Sequence, residues 1–341
     1  MEFVDLFAGP NDNDRTLEKI IRKLLTNVSL SQIYKSSRNG LFKINDKIAK
    51  LNNKVYINDK ISLPSFLMNI SENNNLQNNN KQYNNKLIDI FCNENFRIIS
   101  KPYGINVHSA SKNEISLDKI IKNEYKSIHH NNNSISFAPG PLHRLDKNTT
   151  GILVFSQSLD GARSFSNAMK HNALQKHYLT ILCGKLEKNL HLRHYLKKSD
   201  NNQKFHTVDV FETNIYNSTL AITNVFPIDY GKFNNKFYTF AKVHIETGKT
   251  HQIRSQCSYA GFPLFADIAY GGEKNIISKD NRKLFLHAFE LENINCNELS
   301  NNGFPKKIIC GIGKEFENIL KNFLPKMDIK TYNISSYEIV E

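Results

Sequence analysis

One aspartate has the surroundings of a reactive group. In His143-Arg144-Leu145-Asp146-Lys147-Asn148-Thr149-Thr150-Gly151, the carboxylate follows Pro139-Gly140-Pro141 and precedes Ile152-Leu153-Val154-Phe155. Proline and glycine mark a loop, and the β-branched and aromatic run after them marks a buried strand. Asp146 therefore sits on a loop leading into a core strand, where a rigid scaffold presents a reactive side chain. The plainer alternative is a charged turn whose aspartate only holds the loop. A loop carboxylate that reacts must be ionised yet buried with its target. An adjacent guanidinium achieves this by lowering the carboxyl pKa and fixing its direction. Metal chemistry has no support, because neither His108 nor His251 has a partner at ligand spacing.

The elements that must position these residues can be read from periodicity. Leu87 to Phe91 and Phe96 to Ile99 flank Asn93-Glu94-Asn95 as a hairpin. Residues 117–125 read as a helix with Leu117, Ile120, Ile121 and Tyr125 on one face. Asp160 to His171 reads as a helix burying Ala162, Phe165 and Met169, and Lys176 to Leu182 as a strand ending at Gly184. Further β runs fall at Val208 to Phe211, Leu220 to Phe226 and Phe237 to Ile245. In Gly248-Lys249-Thr250-His251-Gln252-Ile253-Arg254, Gly248 ends a strand and Thr250 is placed to cap a helix running to Ala260, with Gly261 beyond it and Arg254 one turn in.

Charge and composition divide the chain. Of its 341 residues, 45 are Lys or Arg and 32 Asp or Glu, a net charge of +13 with pI near 9.3. Such a balance favours a polyanion, usually nucleic acid, over a small neutral partner. Residues 15–60 alone hold eleven Lys or Arg against three Asp or Glu. There Leu17, Ile20, Ile21, Leu24 and Leu25 form an amphipathic stripe, and a short helix from about Leu30 to Arg38 stops at Asn39-Gly40. Small β-turns follow at Asn45-Asp46 and Asn58-Asp59. Residues 69–86 are almost entirely Asn, Gln, Lys and Ser, with too little apolar surface to offset the entropy of ordering. The expected layout is a basic module at 1–68, a disordered linker at 69–86, a second domain at 87–330 and a tail at 331–341. The five cysteines are scattered without a Cys-x-x-Cys pair, so a reducing cytoplasm is expected. The N-terminus carries Glu2, Asp5, Asp12 and Asp14, unlike a signal or basic transit peptide, and no apolar run nears the ~20 residues that span a bilayer.

The nonapeptide resembles the nucleophile motif of the RluA-type pseudouridine synthases, His-Arg-Leu-Asp-x-x-Thr-Ser-Gly, with Thr150 in place of Ser. Three further stretches resemble that family in the same order: Lys101-Pro102-Tyr103-Gly104 with Val107-His108, Gly248 to Arg254 with Lys249 for Arg, and Leu286-His287-Ala288. Asp267 with Tyr270-Gly271 resembles its Gly-Asp-x-x-Tyr-Gly segment, with Ala266 for the first Gly, while Ser255 to Ser258 departs from it. The basic module, through Ser31 to Lys35, Arg38-Asn39-Gly40 and Lys43 to Asn45, resembles the S-four-type RNA-binding domain.

The resemblance implies a mixed α/β pseudouridine synthase fold, a largely antiparallel bent sheet with the cleft across its middle. It implies isomerisation of uridine in RNA without cofactor or metal, in the manner of the large-subunit (23S) ribosomal RNA enzymes of the RluC and RluD type, by a cytoplasmic monomer. Asp146 would be the nucleophile, Arg254 its ionic partner, and Tyr178 the ring against the target base. Arg144 would fill the gap left by a flipped uridine, and Ile152 and Leu153 would floor the base pocket. His143, Thr149, Lys249, His251, Gln252, Lys101 and His108 would attend the substrate, with His143 ordering the loop rather than titrating. Lys35, Arg38 and Lys43 would meet RNA phosphates. A non-catalytic RNA-binding or ribosome-assembly protein would have no need of Asp146, Tyr178 and Arg254 together. A glycoside hydrolase would want a second carboxylate beside the first, and no motif supplies one. A transfer-RNA substrate stays open beside the ribosomal one.

Overall fold

The computed structural model describes residues 1–68, 86–111, 114–128, 134–199, 207–274, 284–327 and 337–340. The linker expected at 69–86 lies outside them except for Lys86. The chain forms two compact units. One comprises Met1–Asn84, His108–Gly140 and Ser156–Ala162, the other Asn85–Val107, Pro141–Phe155 and Arg163–Glu341.

The first unit has a four-stranded sheet in the order β1 (Phe3–Phe7), β6 (Lys60–Pro64), β3 (Lys43–Ile44), β4 (Lys47–Ile48), and a two-stranded pair of β2 (Arg15–Thr16) and β5 (Lys54–Val55). Helix α1 (Leu17–Leu24) buries Leu17, Ile20 and Ile21, as its stripe predicts. Helix α2 (Leu30–Arg38) opens on a capping box: the Ser29 hydroxyl accepts from the Gln32 N–H and the Gln32 amide oxygen from the Ser29 N–H. It ends before Gly40 at φ +67°. Helix α3 (Leu117–Ile128) belongs to this unit. So do residues 134–137, and the fully buried Asp12 gathers them. Its carboxylate accepts from the Ile135 N–H at 2.7 Å and from the Ser134 hydroxyl at 2.7 Å. The Ser136 hydroxyl in turn accepts from Arg15 at 2.8 Å. A unit beginning at residue 87 would leave this carboxylate buried without those donors, so the unit reaches past the boundary that composition suggests.

The second unit is built on an eleven-stranded sheet. Its main path runs β12 (Val208–Phe211), β11 (Leu190–Lys198), β13 (Thr219–Phe233), β14 (Lys236–Ile245), β10 (Leu174–Cys183), β15 (Leu286–Asn293), β9 (Thr150–Ser156), β8 (Phe96–Lys101), β7 (Ile88–Cys92). Strand β16 (Lys307–Ile309) pairs with β15 and with β17 (Glu338–Val340), so residues 338–340 are sheet where a tail is expected. The registered pairs are antiparallel except β9 with β15. Helix α4 (Leu159–Lys170) packs Phe165 and Ala168 into a core with Ile98, Ile152, Val154 and Phe304, while Ala162 and Met169 are only half-buried. On another face α6 (Gly313–Phe323) brings Phe316 and Phe323 against Phe240, Tyr238 and Phe265. Helix α5 (Gln252–Tyr259) carries the Arg254 motif. Among the described residues no helix is long and apolar enough to cross a membrane.

Candidate active site

Strand β9 enters the sheet through two residues, Thr150 opposite His287 and Gly151 opposite Ala288, in parallel register. Gly151 stands at φ +102°, and a Cβ there would lie 2.2 Å from the Ala288 carbonyl oxygen. Any side chain would force the two strands apart. Beside it, His287 Nε2 lies 2.8 Å from the Cys310 carbonyl oxygen and Nδ1 lies 2.8 Å from Thr150 Oγ1. A carbonyl can only accept, so Nε2 carries the hydrogen and Nδ1 accepts from the Thr150 hydroxyl. Burial holds His287 near pKa 4, which keeps that neutral ring. The hydroxyl that Thr150 shares with Ser is thus used to join the Asp146 turn to the sheet.

The turn itself is closed by the Thr149 N–H donating to the Asp146 carbonyl at 3.0 Å. Lys101 braces it from below. Its ammonium is 1% exposed and donates to the carbonyls of Pro102, Lys147 and Thr149 at 3.0, 2.9 and 2.9 Å. Burial lowers its pKa to about 7, and the charge of Asp146 opposes that fall. Lys101 therefore fastens the loop and does not face a substrate. His143 is also structural. Its Nε2 accepts from the Val154 N–H at 3.2 Å, its ring stacks on Phe165, and burial presses its pKa to about 3. The ring orders the loop in its neutral form, as the sequence suggests.

Asp146 opens into a cavity whose lining includes Arg144, Thr149, Tyr178, His251 and Arg254. The residues meet there from β10, the turn before β9 and the start of α5. Asp146 is about one-fifth exposed, and Tyr178 is buried. Burial, and after it the Asp146 charge, push the Tyr178 phenol upward, so it stays protonated. Arg144 is exposed at the rim.

Arg254 does not hydrogen-bond Asp146. Its Nε and Nη2 donate to the two oxygens of Asp267 at 2.6 and 2.8 Å, a buried bidentate pair. The guanidinium also lies 4.9 Å over the Tyr270 ring. Burial opposes its charge, but Asp267 and then Asp146 more than compensate, and its pKa is raised. The positive charge is thus kept near Asp146 while its direction is set by Asp267. Asp267 and Tyr270 belong to the site although their motif alone assigns them no task; their spacing after Arg254 was the available signal.

The start of α5 also differs from the expectation. Thr250 does not cap it. The residue before the helix is His251, in the left-handed region at φ 54°, ψ 19°. The Gln252 side chain satisfies the turn, accepting from the Lys249 N–H at 3.0 Å and donating to the Ile222 carbonyl and Thr223 hydroxyl. Gln252 and Lys249 line the cavity, but Gln252 is committed to the scaffold. Ile152 and Leu153 do not floor the cavity: Leu153 is core, and Ile152 lines a separate, smaller space with His143 and Tyr178. His108 lies in the first unit, its Nδ1 3.8 Å from Asp118. In that unit Lys35 and Arg38 are exposed on α2, and the Lys43 ammonium lies 4.8 Å over the Phe3 ring. No cluster of His, Cys, Asp and Glu suited to a metal occurs among the described residues.

Residues 95–259 match the RNA pseudouridylate synthase family. The chain is 28% identical over 297 residues to an uncharacterized RNA pseudouridine synthase of Mycoplasma capricolum, covering 84% of this chain and 90% of that one. It is 25% identical over 323 residues to the ribosomal large subunit pseudouridine synthase D of Borreliella burgdorferi, covering 94% and 89%. In fold it is similar to human RNA pseudouridylate synthase domain containing 4, with TM-score 0.53 at 18% identity over 69% of this chain and 92% of that one.

Proposed function

We propose that this chain, which belongs through residues 95–259 to the RNA pseudouridylate synthase family, isomerises specific uridines of large-subunit ribosomal RNA with Asp146 as its nucleophile. The observation that carries the reading is a carboxylate held at the mouth of a cavity between a protonated phenol, Tyr178, and a fixed guanidinium, Arg254. The reaction cuts the bond between uracil and ribose and remakes it at carbon 5 of the same ring. It needs a carboxylate directed at the nucleoside and a pocket in which the freed base can turn.

A uridine inside a helix cannot reach this cavity without flipping out, at a cost of a few kcal/mol of unstacking. Arg144 at the rim has the planar cation that can stack in the vacated place. Within the cavity Tyr178 offers its ring face to the base, and its neutral hydroxyl is a donor rather than a base. Arg254 places a positive charge near Asp146 without occupying its oxygens, which leaves them free to reach the sugar or base. The substrate class is supported by relatives named as large-subunit ribosomal enzymes in Borreliella burgdorferi and Haemophilus influenzae, and by the basic first unit. Ribosomal RNA as substrate puts the reaction in the cytoplasm.

The test is Asp146→Asn, assayed for pseudouridine formation on ribosomal RNA. Turnover is expected to vanish while RNA binding stays near wild type, because affinity comes from phosphate contacts. Turnover within about tenfold of wild type would sink the assignment. Mapping pseudouridines in a deletion strain names the uridine; loss of sites only in transfer RNA would overturn the substrate class.

A further inference from the structure

His251 is the cavity residue that the reading above leaves without a task. Its backbone lies in the left-handed region, which residues with a Cβ adopt sparingly and which recurs at functional sites. With that backbone, Nε2 lies 3.8 Å from Asp146 Oδ2 while Nδ1 meets the Tyr270 hydroxyl at 2.9 Å. The Tyr270 oxygen is itself held, accepting from the Val208 backbone N–H at 2.8 Å. Burial keeps the phenol protonated. With its oxygen receiving the backbone hydrogen, the phenol directs its own proton to His251 Nδ1. An imidazole that accepts at Nδ1 carries its hydrogen on Nε2.

We infer that Tyr270, anchored by Val208, fixes His251 as the Nε2–H tautomer, so that the ring turns the positive end of its N–H dipole toward Asp146 across 3.8 Å, a separation longer than a hydrogen bond, and biases the direction of that carboxylate. This rests on the reading of Asp146 as the nucleophile. His251 is then a positioning residue for Asp146, and Tyr270 a positioning residue for His251. A neutral donor suits the task, since it orients the carboxylate without lending it a proton. The charged groups facing the ring are Asp146 and Asp267, which favour protonation, and Arg254 and Arg144, which oppose it together with burial; the balance lowers the His251 pKa.

The experiment uses full-length protein. Nitrogen-15 spectra of labelled histidine, with His251→Asn identifying the signal, are expected to show an unprotonated Nδ1 and a protonated Nε2. The opposite tautomer overturns the inference. In kinetics on an RNA substrate, Tyr270→Phe is expected to lower kcat about tenfold with KM unchanged. His251→Asn suits the left-handed backbone but is too short to reach Asp146, and is expected to lose about a hundredfold in kcat while melting like wild type. His251→Gln, whose amide N–H can reach, is expected to recover most of that loss. An amide has no tautomers, so Tyr270→Phe should add nothing in the His251→Gln background. An equal Tyr270→Phe penalty in both backgrounds overturns the inference, because the tyrosine would then act through packing. If His251→Gln does not fold, the spectra alone decide. Asp146→Asn in the same assays separates the two readings. Turnover there sinks the nucleophile, whereas a dead Asp146→Asn with equal tyrosine penalties sinks only the part given to His251.

Discussion

On the first unit the cations stand in water: Lys35 and Arg38 project from α2, and Lys47 and Lys50 from the turns that follow. In the second unit Arg254 is buried, its Nε–Nη2 edge is taken by the two oxygens of Asp267, and its plane covers Tyr270. The difference teaches that one charge type serves two physical ends. Exposed cations contribute affinity that salt can screen, and their exact direction matters little. A buried, bidentate cation contributes a fixed field and a fixed geometry, and removing its partner strands a charge in the interior.

The largest test of that contrast is Asp267→Ala. Breaking a buried pair by removing one partner costs about 3–5 kcal/mol, so the variant should melt far below wild type, whereas Lys35→Ala should melt within about 0.5 kcal/mol of it. Similar melting of the two would erase the distinction. The second test is acid. His143 is held near pKa 3 and His287 near 4 by burial, below the ordinary value of about 6.5. Between those values and 6.5 the unfolded chain binds more protons than the folded one. Their stabilising effect is therefore full above about pH 6.5 and lost as pH falls toward 4 and 3. The double variant His143→Asn/His287→Asn should show a flatter decline in Tm below pH 6.5, and an unchanged slope would remove both rings from the account.

A third and smaller effect is expected from Lys35→Ala, Arg38→Ala and Lys43→Ala combined. RNA affinity should fall, and the log–log salt slope should flatten by about 0.7 to 0.9 for each lost phosphate contact. Turnover at saturating RNA should hold. An unchanged slope would mean that this face does not touch RNA. The smallest effect concerns Ala266, whose φ of +65° is a conformation that glycine adopts freely. Ala266→Gly should raise stability by up to about 1 kcal/mol, read as a small rise in Tm, with kcat unchanged.

The sequence shows the Asp146 turn, α1, α2 and several strands, among them β7, β8, β10 and β14, because each is written in local chemistry: a Pro-Gly loop before an apolar run, a stripe at helical spacing, a glycine after a helix; it does not show β11 or the order in which the strands pair. It could not say which carboxylate Arg254 would take. The resemblance sets it against Asp146, and only the fold sets the guanidinium against Asp267. Nor could it place residues 134–137 in the first unit, because that contact is made by Asp12 across more than 120 residues of chain. Thr250 looked like a cap from its type alone; the left-handed turn at His251 and the Gln252 side chain do that work instead, and neither follows from propensity.

The two-residue parallel join of β9 to β15 also has a consequence in time. Thr150 and His287 are 137 positions apart, so β9, which also lies beside the earlier β8, gains its second neighbour only after most of the chain exists. Pairings across such separations form slowly, since a long loop must close before any contact rewards it. On the ribosome, translation at about 5–20 residues per second delivers β15 roughly 7 to 28 seconds after the Asp146 turn has emerged. During that interval β9 is an apolar strand without one of its neighbours, and the turn that carries Asp146 lacks its join to β15.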